Sequence, residues 1–170
     1  MEDEGCAHLL DARSDRNHPL LIPFARGNLA VAWAYDPSTQ RTEPSVFAMA
    51  PVKDGDFSSP LPTGFQAEAC EILSLGGHEV LAVYRRVDQP GLWAETGRIE
   101  DGAWTTGGAV PLWQGAGSHM TGRTDSADAL SGLKFGSPSM RQMEEDSVLV
   151  LFWCQEDGVT GIRWLRLQVG

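Results

Sequence analysis

The side chains with which this chain can act on a polar ligand are Glu68, Arg85, Arg86, Arg141, Trp153, Glu156 and Asp157. Glu68 opens an apolar run, Glu68-Ala-Cys-Glu-Ile-Leu-Ser-Leu75. It reads either as a site carboxylate or as a solvated charge at a strand end. Arg85 and Arg86 close the next run, and a guanidinium presents a planar fork that suits a carboxylate or a phosphate. Consecutive strand residues face opposite ways, so only one of the two can point at a given site. Tyr84 and Arg86 share one face, and Arg85 takes the other. Arg141 sits on a later strand, where an inward guanidinium could join an anion site. Trp153 precedes Glu156 and Asp157. An aromatic beside carboxylates can stack on a sugar ring, or it can be a core side chain next to a solvated turn.

Other chemistries find little support. His8, His18, His78 and His119 lack ligand spacing, and Cys6, Cys70 and Cys154 form no metal pattern. No phosphate loop, dinucleotide fingerprint or nucleophile elbow is present, and Gly76-Gly77 and Gly107-Gly108 read as turns, so no cofactor is expected. A net charge of −10 argues against nucleic acid, which needs clustered cations. Most of the 13 cations are Arg. No apolar run reaches the length of a membrane span. The opening Met1-Glu-Asp-Glu-Gly5 is unlike a signal peptide. The expectation is a soluble chain, cytoplasmic as it stands and secreted or periplasmic if a leader precedes it.

These residues need elements to hold them, and the elements repeat. A short apolar strand, a polar turn and a second apolar strand recur at 18–36, 68–86 and 136–154. No stretch keeps a helical period. Asp-Gly pairs at 54–55, 101–102 and 157–158 supply hairpin turns. Taking Leu29, Val80 and Val148 as equivalent strand starts spaces the repeats by 51 and 68 residues. The larger gap holds a Gly-, Ser- and Asp-rich loop at 115–133. The expected organisation is a polar tail with one strand at 1–17, then three blades at about 18–66, 67–114 and 134–170. Cys70 and Cys154 fall inside strands, where a free thiol behaves as a small core residue.

The segments Glu68–Arg85 and Phe135–Cys154 resemble blade openings of the sialidase-type (BNR/Asp-box) β-propeller superfamily. The ending Phe152-Trp-Cys-Gln-Glu-Asp-Gly-Val-Thr-Gly-Ile-Arg-Trp-Leu-Arg-Leu167 is similar to a last blade of that group. The Asp-box survives as echoes, Asp54-Gly-Asp-Phe57 and Asp101-Gly-Ala-Trp104. The resemblance implies an all-β fold of about three four-stranded antiparallel sheets in an incomplete ring. It implies a sialidase-like protein, part of a glycoside hydrolase acting on sialic-acid-type or related glycans, or a non-catalytic glycan- or protein-binding fragment. Glu68 falls where the family carries its activating Glu, and Arg85 falls where it carries one Arg of its substrate triad. Arg86, Arg141, Trp153, Glu156 and Asp157 then become substrate contacts. The family's nucleophilic Tyr aligns with Phe135, which has no hydroxyl. The resemblance therefore implies that this chain alone is inactive. Typical rings have four to eight blades, so three imply self-association or a missing N-terminal half.

Overall fold

The computed structural model describes residues 18–33, 35–36, 41–42, 45–86, 89–115, 134–144 and 146–169. The expected tail at 1–17, most of the loop at 115–133, and Cys6, His8 and His119 lie outside them. The fold is all-β. Its strands are β1 (His18–Phe24), β2 (Gly27–Trp33), β3 (Tyr35–Asp36), β4 (Arg41–Thr42), β5 (Val46–Ala50), β6 (Leu61–Pro62), β7 (Ala67–Gly76), β8 (Glu79–Arg86), β9 (Leu92–Glu100), β10 (Ala103–Trp113), β11 (Phe135–Glu144), β12 (Ser147–Glu156) and β13 (Val159–Gln168).

Three blade-like antiparallel sheets form in chain order: β1-β2-β5-β6, then β7-β8-β9-β10, then β11-β12-β13, with β3 and β4 as a separate ribbon. The third sheet has three strands among the described residues. The sheets stand side by side and unclosed, with β7 packed against both β1 and β11.

The central sheet is covered on both faces, and β8 shows why in its sequence. Val80, Leu81, Ala82, Val83 and Tyr84 form an unbroken apolar run, and all five are buried. A strand buried on both faces needs no polar alternation. Val80, Ala82 and Tyr84 face the first sheet and pack with Leu29, Val31, Phe47, Phe65 and Ile99. Leu81 and Val83 face the third and pack with Trp113, Phe135, Val148, Val150 and Phe152. Cys70 joins the first seam and Cys154 the second, both as buried free thiols.

Hairpin geometry corrects the repeat register. Gly27, Glu79 and Ser147 are the equivalent strand starts, since each follows its hairpin turn in the same place. Leu29 therefore matches Leu81 and Leu149, not Val80 and Val148. A slip of one residue exchanges the two faces of a strand. A second correction concerns Gly107-Gly108, read as a turn. It lies within β10 as a bulge between Thr106 and Ala109. Two hairpin turns place Asp at positive φ, Asp101 at 51° and Asp157 at 51°; the first places Ala25 there, at 52°.

Candidate functional site

Strand direction decides which residues can meet. β7 begins, β8 ends, β11 begins and β12 ends at the same end of the sheets. Glu68, Arg85, Arg86, Trp153, Glu156 and Asp157 all lie toward that end. Arg141 does not. It pairs with Leu149, five residues along β11 from Gly136 and so roughly 15 Å away, and it is exposed. The structure does not bring it to the others.

Glu68 and Arg85 are direct register partners across β7 and β8. The alternation expected along β7 breaks just beyond Glu68, where a bulge sets Ala69 and Cys70 opposite Tyr84. Ala67 and Cys70 therefore reach the same core cluster across an odd spacing. Arg85 is 8% exposed and faces the third sheet. There its Nη1 lies 3.6 Å from the position a Cβ on Gly136 would take, and Trp153 Nε1 lies 3.6 Å from the same point. The missing side chain of Gly136 thus leaves a space flanked by a guanidinium and an indole.

Arg86 faces the first sheet, as the parity of the strand requires. Its guanidinium carbon sits 4.8 Å from the centre of the Trp93 ring. Trp93 Nε1 donates to the Pro90 carbonyl at 3.0 Å. Gly91 makes the connection possible: its φ is +107°, and a Cβ there would stand 2.2 Å from the Trp113 carbonyl oxygen. Beside Arg86 lies a cleft of about 550 Å³ lined by Pro62, Phe65, Gln66, Tyr84, Glu95 and Thr106.

At its floor the Tyr84 hydroxyl donates to Glu95 Oε2 at 2.7 Å. Phe65 stacks on the Tyr84 ring, with centres 4.9 Å apart. Burial, and then the Glu95 hydrogen bond, push the Tyr84 phenol well above its ordinary range. Tyr84 is therefore held protonated, the wrong state for a nucleophile. Glu95 was not anticipated from the sequence. The signal that could have found it is the short 87–91 connection, which sets Tyr84 opposite Trp93 and leaves Glu95 diagonal to it.

The grouping of Trp153 with Glu156 and Asp157 needs correction. An odd spacing on one strand puts Trp153 and Glu156 on opposite faces. Glu156 instead turns toward the second sheet, where its Oε1 accepts from Trp113 Nε1 at 2.9 Å and its Oε2 pairs with Arg163. The Arg163 hydrogen bond, then that of Trp113, hold the Glu156 carboxyl below its usual range. Asp157 is an exposed turn residue. Phe135 is buried to 1% exposure with its ring 4.9 Å from that of Trp113, so it is a core side chain. No group of three or more His, Cys, Asp or Glu residues suited to a metal occurs among the described residues.

No family model and no curated protein matches this chain. Its fold is that of solved structures. One is a protein of unknown function from Dyadobacter fermentans DSM 18053, at TM-score 0.62 and 22% identity, covering 95% of this chain and 40% of that one. Another is an endo-arabinase from Bacteroides thetaiotaomicron VPI-5482, at TM-score 0.51 and 11% identity, covering 92% of this chain and 58% of that one. The chain thus spans less than two thirds of the length of either. What they define is the fold, all-β and built of blade-like sheets. Among the described residues no helix is long and apolar enough to cross a membrane.

Proposed function

We propose that this chain is the glycan-binding part of a carbohydrate-active, sialidase-like propeller protein. The ligand sits where Arg85 and Trp153 come together, at the end of the sheets near which β7 carries Glu68. The observation that carries this reading is the position of Arg85, largely buried and beside both the Gly136 gap and the Trp153 indole. A guanidinium in a sheltered site makes charge-assisted, two-pronged hydrogen bonds to a sugar carboxylate. An indole alongside offers an apolar face and one donor. Arg86 over Trp93 adds positive charge on the neighbouring seam.

Binding without unaided hydrolysis is the reading favoured here. Tyr84 is committed to Glu95, and Phe135 fills the place of a nucleophile. Glu68 is retained as the general acid or base of an assembled enzyme. The test is a calorimetric titration with sialyllactose and with arabino-oligosaccharides, run beside fluorogenic glycosides of both sugars. The expected result is saturable binding of the acidic glycan and no turnover. Arg85→Lys, which keeps the charge and loses the fork, should weaken that binding about tenfold. Turnover abolished by Glu68→Gln would reinstate an unaided hydrolase. Tighter binding of the neutral arabino-oligosaccharide would reassign the sugar, and binding of neither would sink the reading.

A further inference from the structure

The cleft of about 550 Å³ between the first and second sheets is built like a small binding site. Its floor is Phe65, Tyr84 and Glu95, all buried, and its rim holds the exposed Gln66 and Thr106 and the half-buried Arg86. Over Gly64 the rim is open, since a Cβ there would meet no atom within 4 Å. Glu95 is more than nine-tenths buried. Its Oε2 accepts the one proton that Tyr84 can give, and its Oε1 has no hydrogen-bond partner among the described residues. A carboxylate oxygen kept from water without a donor is costly, so a ligand that brings a donor gains by entering. Arg86 stands at the lip beside the Trp93 ring. The opposed faces of β8 put this cleft on the other seam from Arg85 and Gly136.

We propose that the cleft binds a neutral, hydroxyl-rich ligand, one uncharged sugar unit, at a site separate from that of Arg85. The charges on its walls select this class. A cation would satisfy Glu95 and be repelled by Arg86. An anion would meet Arg86 and bring no donor to Glu95. A hydroxyl both donates and accepts. Two neighbouring hydroxyls therefore donate to Glu95 and accept from Arg86, and the Gln66 amide and Thr106 hydroxyl at the rim serve the others. The terminal torsion of a glutamate is broad, so a small turn of the carboxylate brings Oε1 to the ligand while Oε2 keeps the Tyr84 proton. The volume falls in the range of about 300–1,000 Å³ usual for small-molecule sites.

Titration of the full chain with methyl glucoside, glucosamine and glucuronate tests this, because the three share a ring and differ in charge. Binding is followed by nuclear magnetic resonance at the Trp93 indole N–H and the Gln66 side-chain amide. An acidic sugar held at Arg85, on the other seam, does not register at these two signals. Methyl glucoside is expected to shift both signals saturably in the millimolar range, with the two charged sugars binding more weakly. Glu95→Gln keeps the shape and an acceptor for Tyr84, and should weaken methyl glucoside about tenfold, because hydrogen bonds to a charged acceptor are about twice as strong as neutral ones. If that variant fails to fold, Gln66→Leu serves instead. Its side chain lies at the exposed rim, and it should weaken the same binding about threefold, read at Trp93. No saturable shift with methyl glucoside overturns the proposal. So does binding indifferent to these substitutions. Tighter binding of glucosamine overturns it in favour of a cation site, and tighter binding of glucuronate in favour of an anion site. The Arg85 site stands or falls separately, since Arg85→Lys acts on the acidic glycan and Glu95→Gln on the neutral one.

Discussion

The seam between the first and second sheets and the seam between the second and third are built to the same plan with different contents. The second is lined by aliphatic and aromatic side chains, with Phe135 against Trp113 at its centre. The first has a comparable set, Phe47, Phe65 and Ile99, and sets the Tyr84–Glu95 hydrogen bond among them. Glu95 is 7% exposed, and its Oε1 has no hydrogen-bond partner among the described residues. An apolar seam tolerates many packings of similar volume. A buried hydroxyl and carboxylate must face each other, so the first seam has a preferred register that packing alone does not impose. The cost is a carboxylate kept from water.

Substitutions can break this comparison, and the largest effect is expected in the apolar seam. Phe135→Ala should lower unfolding stability by about 3–5 kcal/mol in a denaturant titration, through lost transfer energy and a cavity beside Trp113. A loss below about 1 kcal/mol would mean that the seam is not close-packed.

Next comes the polar pair. Tyr84→Phe leaves Glu95 buried without its donor and should cost about 2–4 kcal/mol. Adding Glu95→Leu should recover at least half of that loss. If the two substitutions merely add, the pair is not coupled.

The first seam should also be the more alkali-sensitive one, because burial raises two groups there and Cys154 alone in the second. Burial raises the folded-state pKa of Tyr84 and of Cys70 above their ordinary values of 10.0 and 9.0. Both groups keep their proton when folded and lose it when unfolded at high pH. The unfolded chain then binds fewer protons, so stability falls as pH rises, starting near pH 9 for Cys70 and near pH 10 for Tyr84. The slope is about 1.4 kcal/mol per pH unit for each group. Cys70→Ala should flatten the earlier part of the fall in a stability–pH profile. An unchanged profile would remove Cys70 from this account.

The smallest effect expected is a gain. Ala25 holds φ at 52° in the hairpin of the first sheet, where a Cβ is unfavourable. Ala25→Gly should raise stability by about 0.5–1 kcal/mol in thermal unfolding, less than any effect above.

Much of this architecture is legible in the residues. The all-β class, the hairpins at Asp101-Gly102 and Asp157-Gly158, the opposed faces of Arg85 and Arg86, and the core role of Cys70 and Cys154 all follow from local pattern. What local pattern leaves open is phase. Apolar spacing puts the repeat one residue out at Val80, and Gly107-Gly108 has the composition of a turn. Trp153 and Glu156 are neighbours in the sequence, although an odd spacing separates them on one strand. Each ambiguity has the same origin: side-chain direction has a period of two, so one unnoticed bulge or slip inverts it. Arg141 was misplaced for a different reason. Its type suits an anion site, but its distance along β11 depends on where that strand begins.

The sequence by itself determined the all-β class and the hairpins at Asp101-Gly102 and Asp157-Gly158, because apolar alternation and Asp-Gly chemistry act within a few residues. Only the tertiary structure decided that Tyr84 meets Glu95, that Arg85 stands beside Trp153 at Gly136, and that Trp164 is left bare. Those outcomes depend on register and on which sheet covers which face, and both are set by contacts between residues far apart in the chain.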